Sequence, residues 1–168
     1  VRLCGEAALR AGAGLVSVAT HPSHSALIPS TRPELMCHGI DSTEDLAPLL
    51  DRATTIAIGP GLGTGDWARA LLDAVLQTDL PIVADADALN LLADREHHRD
   101  DWILTPHPGE AARLTGSTAG EVQADRRRTL ADIRGKYGGT VILKGSGTLI
   151  SSKKEQPWLC SAGNPGMA

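Results

Sequence analysis

Short apolar segments that alternate with helical segments constrain the fold of this chain more than any other feature. Five of these segments are predicted to be β-strands, and they are apolar at successive positions, as is typical of strands in a covered parallel sheet. They are Leu15–Ala19, Thr55–Ile58, Pro81–Ala84, Trp102–Leu104 and Thr140–Leu143. Their alternation with helices favours an α/β fold with a mostly parallel central sheet flanked by helices.

Capping patterns predict where several helices begin. Ser42–Asp45 can cap a helix over Glu44–Leu50, and Asp66–Gln77 carries an apolar stripe at helical spacing. The capping box Thr118–Glu121 opens a further helix, which we expect to continue without a break to about Tyr137.

The C-terminal part of the chain has a different pattern. Strand-like runs at Thr148–Ser151 and Trp158–Cys160 follow tight turns, which predicts an antiparallel edge to the sheet. The sequence has no repeat and no linker, so we interpret residues 1–168 as a single domain. It starts at Val1 within a helical pattern and stops in a glycine-rich run, Ser161–Ala168. We therefore expect both ends to be cut and the domain to be partial.

Composition excludes several classes of function. The 168 residues are 42% hydrophobic and carry a net charge of −4, with three Trp, one Tyr and no basic stripe, so nucleic-acid binding is not expected. We interpret Arg126–Arg128 as a solvated helix face. Cys4, Cys37 and Cys160 match no zinc or redox spacing, so no metal site is predicted and a cytoplasmic location is favoured. No apolar run is long enough to predict a membrane span.

Polar or glycine-rich motifs follow four of the predicted strands. In open parallel sheets, ligands bind beyond the carboxyl ends of the strands, so these motifs are expected to converge on one cleft. They are Gly59–Gly63, Asp85–Asn90, Thr105–Glu110 and Lys144–Thr148.

Each motif also has a purely structural interpretation. Gly59–Gly63 is either a tight turn or a backbone that approaches a ligand. For Asp85 and Asp87 we favour helix capping over positioning of a cation or hydroxyl. His107 is stiffened by the prolines on both sides of it, which suits a ligand contact. Lys144 before its glycines suits either an exposed hairpin or a phosphate.

Taken in order, the motifs resemble the NAD(P)H-hydrate dehydratase family of the ribokinase-like superfamily. The resemblance extends over the whole chain, and the Thr105–Glu110 motif together with Gly163–Ala168 is its most specific part. The other matching segments are Gly5–Val16, Arg32–Met36, Ile58–Gly63, Asp85–Asn90 and Leu143–Thr148.

The resemblance implies a reaction. Members of this family repair NADHX and NADPHX, the hydrated forms of NADH and NADPH. They transfer the terminal phosphoryl group of ADP, or of ATP in eukaryotes, to the ring hydroxyl and then eliminate phosphate. ADP as co-substrate leaves as AMP, and Mg²⁺ is implied alongside the nucleotide. The resemblance also implies a homo-oligomer, since complete relatives are often tetrameric.

The resemblance also implies roles for individual residues. Gly63 and His107 correspond to contacts with the hydrated nicotinamide, and Asp85 and Asn90 lie in the same cleft. The adenine-nucleotide site corresponds to Lys144, Gly145, Ser146, Gly147 and Thr148. The catalytic Asp of the family lies beyond Ala168, so the catalytic residue is unknown and the 168 residues alone are expected to be inactive.

Two alternatives remain open at the level of sequence. One is a small-molecule kinase of the same superfamily, of the hydroxyethylthiazole or hydroxymethylpyrimidine type, because a shared fold does not separate these activities. The Thr105–Glu110 motif favours the dehydratase. The other alternative is an inactive nucleotide-binding module.

Overall fold

The computed structural model describes residues 1–152 and 156–163, in two sheets with their connecting helices. The predicted glycine-rich end of the chain lies outside these residues from position 164 onward. The helices are α1 (Arg2–Arg10), α2 (Pro22–Ser25), α3 (Thr43–Leu50), α4 (Asp66–Leu76), α5 (Asp87–Leu92), α6 (Pro108–Thr115), α7 (Ala119–Ala124) and α8 (Arg126–Tyr137). The strands are β1 (Ser17–Thr20), β2 (Met36–Gly39), β3 (Ile56–Ile58), β4 (Ile82–Ala84), β5 (Trp102–Leu104), β6 (Thr140–Leu143), β7 (Thr148–Ser151) and β8 (Trp158–Cys160).

The main sheet confirms the predicted α/β fold. Its six strands lie in the order β3-β4-β5-β6-β7-β8, with β3 to β6 parallel. β7 and β8 are antiparallel, as the C-terminal pattern predicted. Crossovers between parallel strands are right-handed in nearly all proteins, so the sequential order of β3 to β6 predicts that their connecting helices share one face of the sheet. Helix α8 packs on β6 and β7.

The two faces of the main sheet differ in burial. On the helix-covered face, Trp102 and Leu104 of β5 are at most 1% exposed, and they pair with the equally buried Ile82 and Ala84 of β4. On the opposite face, Ile103 is 36% exposed. The central strands therefore alternate in burial, although their sequences are apolar at every position.

A second, two-stranded sheet lies in the N-terminal third of the chain. β1 pairs in parallel with β2, a strand that the sequence did not predict, and β1 itself ends one residue later than predicted. Val18, Ile28 and Leu35 form a small core of their own beneath this sheet. Ile40 and Ala19 join this region to the main core, and Trp67 Nε1 of α4 donates to the Ile40 carbonyl at 3.0 Å.

The helix predicted from Thr118 to Tyr137 is broken at Asp125, so that prediction was wrong. Thr118 and Glu121 form the expected capping box, but Asp125 has an extended backbone (φ −142°, ψ 78°). Its carboxylate accepts a hydrogen bond from the Arg128 N–H at 3.0 Å and so caps a new helix. The break makes Arg126 the first residue of α8.

Candidate functional site

The structure brings the four predicted motifs together at one edge of the main sheet. The carboxyl ends of parallel strands share one edge, and backbone bonds tie these ends to one another. The Asp85 N–H donates to the Ile58 carbonyl at 3.1 Å, and the Lys144 N–H donates to the Pro106 carbonyl at 2.8 Å. The loops after β3, β4, β5 and β6 therefore form one continuous surface.

An ion pair between Asp85 and Lys144 lies at the centre of this surface. The Lys144 Nζ is 2.6 Å from Asp85 Oδ1 and 4.0 Å from Glu110 Oε2. Burial raises the pKa of Asp85, but hydrogen bonds from Lys144 and Thr105 outweigh it and hold that pKa below its usual range. Asp85 is consequently an ionised partner for Lys144 and a weak base near neutral pH.

The two aspartates do not cap α5, so the interpretation favoured from sequence was wrong. The N-cap residue is Ala86, and no side chain bonds to the N-terminus of this helix there. Asp85 turns to Lys144, and Asp87 Oδ2 accepts from the Gly63 N–H at 2.8 Å. Ala86, between them, has φ 49°, a conformation that favours glycine, so the local backbone is strained.

Glycine is required at the start of the loop after β3. Gly59 has φ 123°, and a Cβ there would overlap the carbonyl oxygen of Asp85 and lie 3.0 Å from Ala88 Cβ. The loop consequently packs directly against the end of β4. Gly63, at its far end, is exposed and has φ 76°, and its N–H is already bonded to Asp87.

His107 is the N-cap of α6. Its Nδ1 accepts from the backbone N–H groups of Gly109 and Glu110 at 3.0 and 3.3 Å, which places the ring proton on Nε2. Nε2 lies 3.2 Å from Glu110 Oε1, while Glu110 Oε2 accepts from the His107 N–H at 2.8 Å. The side chain is still 52% exposed, so a face of the ring remains accessible at the site.

Asn90 takes part in a different contact. It lies in the last turn of α5, where its Oδ1 accepts from the Arg113 Nη1 of α6 at 2.8 Å. This hydrogen bond links two helices, whereas Asp85, Lys144 and Glu110 link loops at the sheet edge.

Arg126 is a site residue that the sequence analysis missed. Its guanidinium donates to four carbonyls of the turn between β6 and β7, so its interpretation as a solvated residue was wrong. Arg127 and Arg128, by contrast, are exposed as expected. The arginine triplet itself does not distinguish its first member. The signal available was Asp125, an N-cap residue type directly before it.

The site combines a lysine, two glycine-rich loops and a helix N-cap histidine at the carboxyl edge of a parallel sheet. These features define an α/β protein whose sheet edge is suited to an anionic ligand such as a nucleotide. Among the described residues, no group of three or more His, Cys, Asp or Glu side chains is arranged to hold a metal ion. No helix within 1–152 and 156–163 is long and apolar enough to cross a membrane.

Comparison with known proteins identifies the family. The family model for NAD(P)H-hydrate dehydratase matches residues 1–168, so the chain belongs to the NAD(P)H-hydrate dehydratase family. A bifunctional NAD(P)H-hydrate repair enzyme, Nnr, of Coxiella burnetii is 56% identical over the whole chain, which spans 34% of that relative. An ADP-dependent (S)-NAD(P)H-hydrate dehydratase of Neisseria meningitidis is 42% identical over 81% of this chain and 47% of its own length.

Solved structures support the same fold. The ADP/ATP-dependent NAD(P)H-hydrate dehydratase of Bacillus subtilis, co-crystallised with ATP and Mg²⁺, superposes with a TM-score of 0.80 at 32% identity, over 97% of this chain and 60% of that chain. A hydroxyethylthiazole kinase of Pyrococcus horikoshii has a TM-score of 0.60 at 17% identity, which shows the fold alone. The chain thus spans about a third of its full-length bifunctional relatives.

Proposed function

We propose that the protein carrying this chain converts NADHX and NADPHX to NADH and NADPH with ADP as the phosphoryl donor. The phosphoryl group passes from ADP to the ring hydroxyl, AMP leaves, and elimination of phosphate restores the ring. Phosphate is a far better leaving group than hydroxide, so phosphorylation makes the dehydration feasible. We place residues 1–168 within a single domain of a cytoplasmic homo-oligomer.

The observation that carries this proposal is the position of Lys144. Its ammonium group lies at the junction of three strand ends and is followed by the turn of Gly145, Ser146, Gly147 and Thr148, to which we assign the nucleotide. Asp85 and Glu110 occupy one side of the ammonium group. Asp85 accepts a hydrogen bond from the ammonium group, whereas Glu110 Oε2 at 4.0 Å lies beyond hydrogen-bond distance. A lysine has three N–H donors, so donors remain for a phosphate oxygen. The described residues offer no metal-ligand cluster, so we assign Mg²⁺ to the nucleotide rather than to a protein site.

The substrate side of the cleft is assigned to Gly63 and His107, with Asp85 and Asn90 as supporting residues. Gly63 cannot offer its N–H to an anion while Asp87 accepts it, so its proposed role is close backbone approach to the uncharged ring. The exposed edge of His107 is fixed by its capping bonds, which suits contact with a planar ligand.

The direct experiment measures recovery of reduced-nicotinamide absorbance from NADHX, using the protein that carries this chain and either ADP, ATP or no nucleotide. We expect the absorbance to recover only when a nucleotide is present. For Lys144→Met we expect kcat/KM to be at least tenfold lower, which is a loss of about 1.4 kcal/mol or more in transition-state stabilisation. The protein would be reassigned to the small-molecule kinases by two results together. NADHX would give no reduced-nicotinamide absorbance with either nucleotide, and the protein would phosphorylate a thiazole or pyrimidine alcohol.

His107 can be tested separately from its capping role. His107→Asn retains an N-cap acceptor, whereas His107→Ala removes it at a cost of about 1 kcal/mol of folding stability. A substrate contact predicts that both variants raise KM for NADPHX while ADP affinity is retained. Wild-type KM in His107→Asn would limit this residue to capping.

A further inference from the structure

One side chain from another element binds the turn between β6 and β7 at four carbonyls. Arg126, at the start of α8, donates from Nη1 to the carbonyls of Ser146 and Gly147 at 2.8 and 2.7 Å. Its Nη2 donates to the carbonyls of Leu143 and Lys144 at 3.0 and 3.3 Å. One guanidinium therefore binds carbonyls on both sides of the turn, between residues 143 and 147.

This arrangement determines where the amides of the turn point. In a trans peptide unit the C=O and the following N–H are antiparallel. The Lys144 N–H illustrates the consequence: it follows the Leu143 carbonyl, which faces Arg126, and it points the opposite way, to Pro106. The N–H groups of Gly145 and Gly147 follow carbonyls that face Arg126 in the same manner, so they too point away from the guanidinium.

Glycine makes this backbone conformation accessible. Gly145 has φ 147° and Gly147 has φ 70°, both in the region that disfavours residues with a Cβ. A Cβ on Gly145 would also lie 3.1 Å from Arg126 Nη2. The N–H groups of Gly145 and Gly147 therefore lie on one side of the turn, where backbone donors can bind an anion, and Lys144 supplies a positive charge beside them.

We propose that Arg126 is a positioning residue, which fixes the β6–β7 turn so that the Gly145 and Gly147 amides face a phosphate group of the bound nucleotide. The inference rests on the nucleotide role proposed above for this turn. Arg126 acts through the loop and binds its carbonyls, whereas Lys144 supplies the charge at the ligand.

Arginine suits this role better than lysine. Its planar guanidinium carries donors on two terminal nitrogens in a fixed fork, so it can span carbonyls on both sides of a turn. A lysine ammonium group is a single point of donation and cannot reach all four carbonyls at once. The conservative substitution is therefore expected to restore the position of the loop only in part.

The chain provides a matched control on the same helix. Arg127 is the next residue of α8 and is exposed, so Arg127→Gln removes the same charge without touching the turn. The experiment compares Arg126→Gln, Arg126→Lys and Arg127→Gln in the protein that carries this chain. Calorimetric titration measures the Kd for ADP and, separately, for adenosine, which lacks phosphate.

We expect Arg126→Gln to weaken ADP binding about tenfold to a hundredfold, the equivalent of one or two lost hydrogen bonds to a charged group. Adenosine affinity is expected to change less than about twofold, Arg126→Lys to be intermediate, and Arg127→Gln to match the wild type. The slowing of amide hydrogen exchange at Gly145 and Gly147 on addition of ADP is expected to be smallest in Arg126→Gln, intermediate in Arg126→Lys and unchanged in Arg127→Gln.

Two results would overturn the proposal. The first is a folded Arg126→Gln protein whose ADP affinity equals that of Arg127→Gln. The second, which applies if the glutamine variant does not fold, is wild-type ADP affinity in Arg126→Lys. A different result would show that the turn does not bind the nucleotide at all. In that case Gly147→Val, like Arg126→Gln, would leave the Kd for ADP unchanged.

Discussion

The two glycine-rich loops of the cleft are held by opposite chemistry. In the loop after β3, the carboxylate of Asp87 accepts the N–H of Gly63. In the turn after β6, the guanidinium of Arg126 binds backbone carbonyls. A loop held by an anion has given up an amide, whereas a loop held by a cation leaves amides available. This difference supports the proposal that the phosphate binds at the β6–β7 turn and an uncharged group at Gly63.

The largest expected effect tests how rigidly the first loop is packed. Gly59→Ala places a Cβ onto the Asp85 carbonyl in a positive-φ position, so we expect a loss of more than about 3 kcal/mol in unfolding free energy. Gly145→Ala brings a Cβ to 3.1 Å from Arg126 Nη2 and overlaps no backbone atom, so at its positive φ it should cost about 1–3 kcal/mol.

The control for both substitutions is Gly14→Ala. Gly14 has no heavy atom within 4 Å of a built Cβ and no positive φ, so we expect a change within about 0.5 kcal/mol. Chemical denaturation measures all three variants. Equal losses of unfolding free energy for Gly59→Ala and Gly145→Ala would show that the two loops are packed alike and do not differ as expected.

A smaller effect separates the ligands of the two loops. Asp87→Ala frees the Gly63 N–H and should cost about 1–2 kcal/mol of stability. Because Asp87 holds the loop to which we propose the substrate binds, KM for NADPHX should rise while the Kd for ADP stays within about twofold of wild type. Asp87→Asn retains an acceptor and should lie between the two. A larger effect on ADP than on NADPHX would reverse the assignment of the loops.

The smallest expected effect comes from the ion pair that joins the loop after β4 to that after β6. The folded-state pKa of Asp85 is lowered, so the pair stabilises the fold above the unfolded pKa of about 3.9 and this contribution is lost as pH falls below it. Both side chains are about a third exposed, which limits the contribution to less than about 1 kcal/mol. The difference in unfolding free energy between wild type and Asp85→Asn should narrow from pH 7 to pH 3. A constant difference would show that the carboxylate charge is not what stabilises the pair.

Local patterns determined the class of fold and the edge at which the site lies. Strand periodicity and capping boxes depend on residues within a few positions, so the parallel strands and the caps at Ser42 and Thr118 were predictable. The convergence of the motifs also followed from sequence, because carboxyl ends of parallel strands must share one edge. The family itself was recognisable from the motifs in their order.

Only the tertiary structure decided which side chains hold the loops. Lys144 and Asp85 are 59 positions apart, and Arg126 reaches carbonyls up to 21 positions away. The partners of Asp85 and Asp87 could not be chosen from sequence, because capping and loop bonding require the same residue types at the same positions. The break at Asp125 was equally ambiguous, since a helical pattern continues through it. Contacts between distant elements resolve such choices, and they exist only once the sheet has formed.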